Sequence, residues 1–254
     1  MLGEIGTLAW TRRTNGVLSR PERARYVAAA VREQARVAAP LLAFRLGRGA
    51  DRGAELGGAD LRIPDSQLAR DAVEECVATQ PRSIVEHSYR SFVFARALGS
   101  LSGVAHDEEL LFVASMFHDA GVLAPDTTDG GRCFTLKGAD DAEAHLAAAG
   151  WPADRCAAAA EAITLHLNPS VPVTQGAEAH LMHDGVLLDA VGLRAWELRR
   201  DAIERVRARH PRLRFSQEAN RLMAEQSRAI PGCRIAAARR AGFGLALRLG
   251  PWRD

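Results

Sequence analysis

An all-α fold is what this 254-residue sequence predicts, on three features of its pattern. Apolar residues recur at the three-to-four-residue spacing of a helix face over most of the chain. Capping and breaking residues bound those stretches where helices should start and stop. No two alternating apolar–polar runs lie close enough to form a β-hairpin.

The first long helix is expected in SRPERARYVAAAVREQARVAAPLLAFRLGRG, with Ser19 as N-cap and Pro21 in the first turn. Pro40 should break or kink it. The Gly-rich stretch GRGADRGAELGGAD then reads as a linker. A second helix lies in IPDSQLARDAVEECVATQP, capped by Asp65 or Ser66, and a third in RSIVEHSYRSFVFARALGSL. The fourth, HDEELLFVASMFHDAG, is capped by Asp107, carries Glu108 and Glu109 in its first turn and is expected to end at Gly121. Residues 122–136 read as a loop. Helices resume in DDAEAHLAAAG, in PADRCAAAAEAITLHL before Pro169, and in GAEAHLMHDGVLLDAVGL. Beyond about residue 195, short basic helices alternate with Pro and Gly turns.

Composition is that of an ordinary globular chain, with 47% hydrophobic and 25% charged residues. A formal charge of +2 supplies no strong global field, so no nucleic-acid partner is expected. Lys137 is the only lysine. The basic residues are otherwise arginines, as codon bias in a GC-rich genome would produce, so arginine clusters are not read as phosphate sites. Cys76, Cys133, Cys156 and Cys233 form no C-x-x-C pair, which argues against a zinc ribbon or a redox motif. No signal peptide and no run of about 20 apolar residues is evident, so a reduced, cytoplasmic protein without a membrane span is expected. The basic terminal helices are expected to pack on the domain or on a second subunit.

His-Asp occurs at His106-Asp107, His118-Asp119 and His183-Asp184, so the dipeptide alone says little. More telling is the order His87, His118-Asp119, Asp189, which spreads ligand-type side chains over separate predicted helices. His87 opens the apolar stripe of its helix. Asp189 sits in the apolar run VLLDAV, where a carboxylate needs a cation or a hydrogen-bond donor. Mixed nitrogen and oxygen donors suit one divalent ion such as Zn, Mn, Fe, Co or Ni.

The same order resembles the HD-domain superfamily of metal-dependent phosphohydrolases. IPDSQLARDAVEECVATQPRSIVEHSYRSFVFARAL, DEELLFVASMFHDAGVL, CFTLKGADDAEAHLAAAGWPADRCAAAAEAITLHLNPSVP and GVLLDAVGL are similar to its cyanamide-hydratase-like branch. The resemblance implies an N-terminal helical extension and linker over 1–61, an HD domain over 62–195 and a basic C-terminal extension over 196–254. It also implies metal ligation by His87, His118, Asp119 and Asp189.

A hydrolase of a small phosphate ester or nucleotide, using water activated by the ion, is the leading expectation. A hydratase of a nitrile-like substrate, a dinuclear-iron oxygenase and a non-catalytic metal-binding adaptor are the alternatives. Asp119 is either a ligand alone or also the group that orients water. His166, at a helix end before Pro169, is either a general acid with a raised pKa or an exposed cap. Arg90 either grips an anionic substrate or ties down a ligand carboxylate. Asn168 is a candidate amide donor to substrate, and Lys137 a solvated surface residue. On one helix over 178–191, His183 and His180 lie about 120° and about 180° from Asp189, which favours one ion over two. Met182 occupies the ligand face instead.

Overall fold

The computed structural model describes residues 2–48, 53–57 and 61–252, and among them it contains α-helices and no β-strand. The all-α expectation holds. The helices are α1 (Leu8–Thr14), α2 (Arg20–Arg45), α3 (Gln67–Thr79), α4 (Arg82–Ser102), α5 (Glu108–Phe117) and α6 (Phe134–Ala148). They continue as α7 (Ala153–Leu165), α8 (Ala177–Val191), α9 (Arg200–Arg209), α10 (Phe215–Ala229), α11 (Arg234–Arg240) and α12 (Phe243–Arg248).

Local chemistry explains most of the boundaries. Ser19 and Glu22 close a capping box on α2. Ser66, rather than Asp65, caps α3 by accepting from the Ala69 amide at 3.1 Å. Asp107 caps α5 through the Leu110 amide at 3.1 Å. Gly192 ends α8 in the left-handed conformation, with φ +83°.

Two expectations need correction. Pro40 does not end α2, which runs on to Arg45. The last turn is anchored from outside, by Phe44 packed edge-on against Trp252 at 6.0 Å and by Arg200 donating to the Phe44 carbonyl at 2.6 Å. The loop over 122–136 is shorter than expected, because α6 already begins at Phe134. Buried Phe134 and Leu136 hold that first turn in place. Part of the Gly-rich linker, 49–52 and 58–60, lies outside the described residues. Its described middle is pinned, since Ala54 exchanges backbone hydrogen bonds with Glu197 and Arg199 at 2.8 and 2.9 Å.

The main core draws Phe92, Leu111, Phe112, Ile163, Leu181 and Leu188 from the central helices. A second cluster joins α10 and α11 to Ile84, Val122, Phe134 and Ala190. A third sets Ile5, Trp10, Leu18 and Tyr26 against Ala237. Both terminal segments are thereby built into the body of the protein.

The closest pairing in the bundle is α4 against α8. Gly185 permits it: a Cβ at that position would lie 2.3 Å from the Ser91 carbonyl oxygen and 2.7 Å from the Ala95 nitrogen. These are backbone atoms and cannot swing aside. The glycine serves close packing, and α8 continues through it as one helix. Gly185→Ala is therefore expected to destabilise the fold by about 1–3 kcal/mol in chemical denaturation, the usual penalty of overpacking. Unchanged stability would contradict this contact.

Candidate metal centre

Two helix ends create the centre. Every residue of α5 from Leu110 to Phe117 is buried, so its C-terminus stops inside the protein. The helix ends at Phe117, ahead of Gly121, and His118 forms its C-cap. The His118 Nδ1–H donates to the Ser115 carbonyl at 2.6 Å. This satisfies a carbonyl that the helix end leaves without a partner. At the end of α7 the pattern repeats: His166 is the C-cap, and its Nδ1–H donates to the Ile163 carbonyl at 2.6 Å. In both rings the proton is thus held on Nδ1, and Nε2 is left with its lone pair.

The His118 Nε2 is buried and has no hydrogen-bond partner. Such an orphan is costly unless something else occupies its lone pair. Asp119 Oδ2 lies 3.4 Å from it, and His87 Nε2 lies 4.0 Å from the same oxygen. All three residues are buried, and one donor atom from each lies within 4.8 Å of the others. Two donors about 2.0–2.2 Å from a shared ion lie at most about 4.4 Å apart, and the 3.4 and 4.0 Å separations fall inside that limit. Two nitrogens and one carboxylate oxygen fit a divalent transition ion, and the C-terminus of α5 adds partial negative charge beside it. His87, His118 and Asp119 could therefore hold a metal ion.

Asp189, expected as a further ligand, stands behind the site and outside this donor group. Its Oδ1 accepts from Arg90 Nε at 2.7 Å and from Arg212 Nη1 at 3.2 Å. Its Oδ2 accepts from Arg90 Nη2 at 2.9 Å and from His87 Nδ1 at 2.6 Å. Burial pushes the Asp189 carboxyl up, but Arg90 and Arg212 outweigh it and hold the group far below the ordinary carboxylate range. The carboxylate acts by orienting His87: it keeps that proton on Nδ1 and turns Nε2 toward His118 and Asp119.

Arg90 ties down a carboxylate, as in the second of its two readings, but that carboxylate is Asp189, outside the donor group. It is fully buried, and its remaining nitrogen, Nη1, donates to the carbonyls of His210 and Pro211 at 3.0 and 2.9 Å. Four of its five N–H groups are thereby committed, and Arg90 is not among the residues that line the cavity. Asn168 is likewise committed: its amide donates to the Ile5 carbonyl at 2.8 Å, and its oxygen accepts from Arg234 at 3.3 Å. It lines the cavity with one amide N–H and its oxygen already bonded to the protein. Lys137 is exposed and paired with Asp141 at 2.7 Å.

His166 is buried, so it is not an exposed cap. Nor is its pKa raised. Burial, followed by neighbouring His118, pushes it well below the ordinary histidine value, which outweighs any help from the helix end. Burial thus favours the neutral imidazole, with the Nε2 lone pair directed away from the helix end. Burial also lowers the pKa of His87, against the opposing pull of Asp189.

Three contributors escaped the sequence. Arg212 pairs with Asp189, and Phe215 stacks on the His87 ring at 4.1 Å. Both come from the C-terminal segment, and in an arginine-rich chain nothing local marks Arg212. The third is His183. Its expected exclusion took Asp189 as the marker of the site-facing side of α8, but Asp189 faces Arg90 and Arg212. His183, Val186, Leu187 and Ala190, at helical spacing, are among the residues of α8 that line a cavity of about 930 Å³, together with His180, Asp184 and Val191. His87, Asp119 and His166 line the same cavity. Met182 is instead fully buried in the core. The His183 Nδ1–H donates to the His166 carbonyl at 3.1 Å, and burial lowers its pKa too.

Comparison with protein-family models and with curated proteins finds no match.

Coordination and support are separable by mutation. His118→Ala is expected to abolish tight binding of Zn, Mn or Co in a metal titration. Asp189→Asn should only weaken it, by about 10–100-fold, as loss of an orienting partner does. Equal losses in the two variants would instead make Asp189 a direct ligand.

Proposed function

We propose that this protein is a metal-dependent enzyme of the HD type that adds activated water to an uncharged small molecule, by hydrolysis or hydration. One observation carries the choice of substrate charge: the cations nearest the donor group are spent on protein acceptors. Arg90 and Arg212 hold Asp189, and Arg234 holds Thr164, Asn168 and Thr135. None of the three is among the residues that line the cavity, so a phosphate ester or nucleotide there would not meet their guanidinium groups. The resemblance to the cyanamide-hydratase-like branch fits this charge balance better than the phosphohydrolase expectation does.

A bound ion would supply Lewis-acid polarisation and a lowered pKa for water. The chain would do the rest. His87, His118 and Asp119 would hold the ion, with Nε2, Nε2 and Oδ2 as donors. Asp119 would orient water through its second oxygen, Oδ1. His166 Nε2 would accept a proton from the attacking water. Its lowered pKa keeps it unprotonated and ready for that task at pH 7. An open cavity beside three donors favours catalysis over a closed structural site.

A dinuclear centre is the second reading, favoured by His166 and His183, which reach the same cavity with Nε2 unprotonated. Metal analysis of protein purified without added ions separates the two: about one equivalent supports the first, two equivalents of iron the second.

Turnover should be measured on a panel of neutral nitriles, amides and esters beside phosphate monoesters, with each metal added in turn. Metal-dependent turnover of a neutral class is expected. His166→Ala should retain the metal and lose about 10²–10⁴-fold in turnover. Preference for the phosphate esters would overturn the reading of charge, and loss of a metal equivalent in His166→Ala would promote His166 to a ligand.

A further inference from the structure

The cavity is far larger than a nitrile or a small amide requires. At about 930 Å³ it lies at the upper end of the range for pockets that enclose drug-sized ligands. Its floor is polar, formed by His87, Asp119, His166 and His183. Its walls are apolar and come from both ends of the chain. Ala30 and Val37 stand on α2, Leu187 and Val191 on α8, and Phe243 and Ala246 on α12. Apolar wall surface of this extent gains free energy only when something apolar covers it.

Away from the floor, the arginines that line the cavity are paired with carboxylates. Arg36 pairs with Glu33 at 2.7 Å. Arg194 pairs with Asp184 at 2.5 Å and with Glu197 at 2.7 Å. Tyr26, also on the wall, donates its hydroxyl to the Leu167 carbonyl. A charged ligand body would displace an existing pair, whereas an apolar one would not.

From the apolar walls and the paired arginines we infer that the substrate is an uncharged molecule with a bulky apolar body. The body lies along α2, α8 and α12 and delivers its reactive group to the His87–Asp119 floor. This rests on reading that floor as the place where water is activated, but the body's binding is measurable without any turnover. The N-terminal and C-terminal segments then act as the specificity wall of the site.

Isothermal titration with the n-alkanols from butanol to octanol tests this on the full chain. Each added methylene should tighten Kd about fourfold, the value of a buried CH₂ group. The slope should persist in His118→Ala, because alcohol binding uses the walls and not the ion. Ala30→Phe on α2 and Ala246→Phe on α12 should each flatten the series while retaining metal binding and cooperative unfolding. Hexyl phosphate should bind no tighter than hexanol to His118→Ala. A Kd independent of chain length would overturn the inference, as would an unchanged slope in both filling variants or tighter binding of the phosphate. A steep series in a protein that turns over no neutral compound would sink the water-activation reading and leave this one standing. Turnover indifferent to chain length would do the reverse.

Discussion

A carboxylate as fully enclosed as Asp189 would be several kcal/mol out of balance without partners. Here it receives two arginines and a histidine, so that each oxygen accepts from more than one donor. Much of the candidate site follows from that arrangement. Arg90 comes from α4, Asp189 from α8, and Arg212 precedes α10. The cluster therefore ties the C-terminal segment to the two most closely packed helices. It also fixes the His87 proton on Nδ1, which presents Nε2 to the candidate metal position. Removing Arg90 or Arg212 would leave buried charge uncompensated, so their effect on the site is structural before it is chemical.

The second constraint is the pair of histidine-capped helix ends. α5 and α7 each stop inside the protein, and each uses the Nδ1 of its own terminal histidine to satisfy a carbonyl three residues back. The two imidazoles then project Nε2 beyond the helix ends, with ring centroids 5.1 Å apart. A cation placed there meets lone pairs and the negative ends of two helix dipoles. Imidazole lone pairs and a carboxylate there adjoin a cavity with apolar walls.

Helical periodicity and capping residues made the all-α fold and most helix positions legible in sequence. His87, His118 and Asp119 were legible as well, because an imidazole in an apolar stripe and a His-Asp pair at a helix break both stand out. Asp189 was correctly marked as a carboxylate in need of a partner, but its partner could not be identified. The choice between an ion and arginines depends on which way α8 is rotated, and the contact with Arg212 spans 23 positions. His183 was misplaced by the same rotation. The helix ends at Phe117 and Leu165 were each set too late, because Gly121 and Pro169 are strong breakers and a histidine cap is not a familiar stop signal. The cavity was invisible, since its walls come from segments at opposite ends of the chain.

The central claim is that His87, His118 and Asp119 bind an ion while Asp189 stands behind them. Anomalous diffraction from crystals grown with Co or Zn, recorded at the metal edge, addresses it most directly. The account predicts a strong peak in contact with His87 Nε2, His118 Nε2 and a carboxylate oxygen of Asp119, with Asp189 still held by Arg90 and Arg212. A peak coordinated by Asp189, or no peak among these three residues at saturating metal, would contradict it.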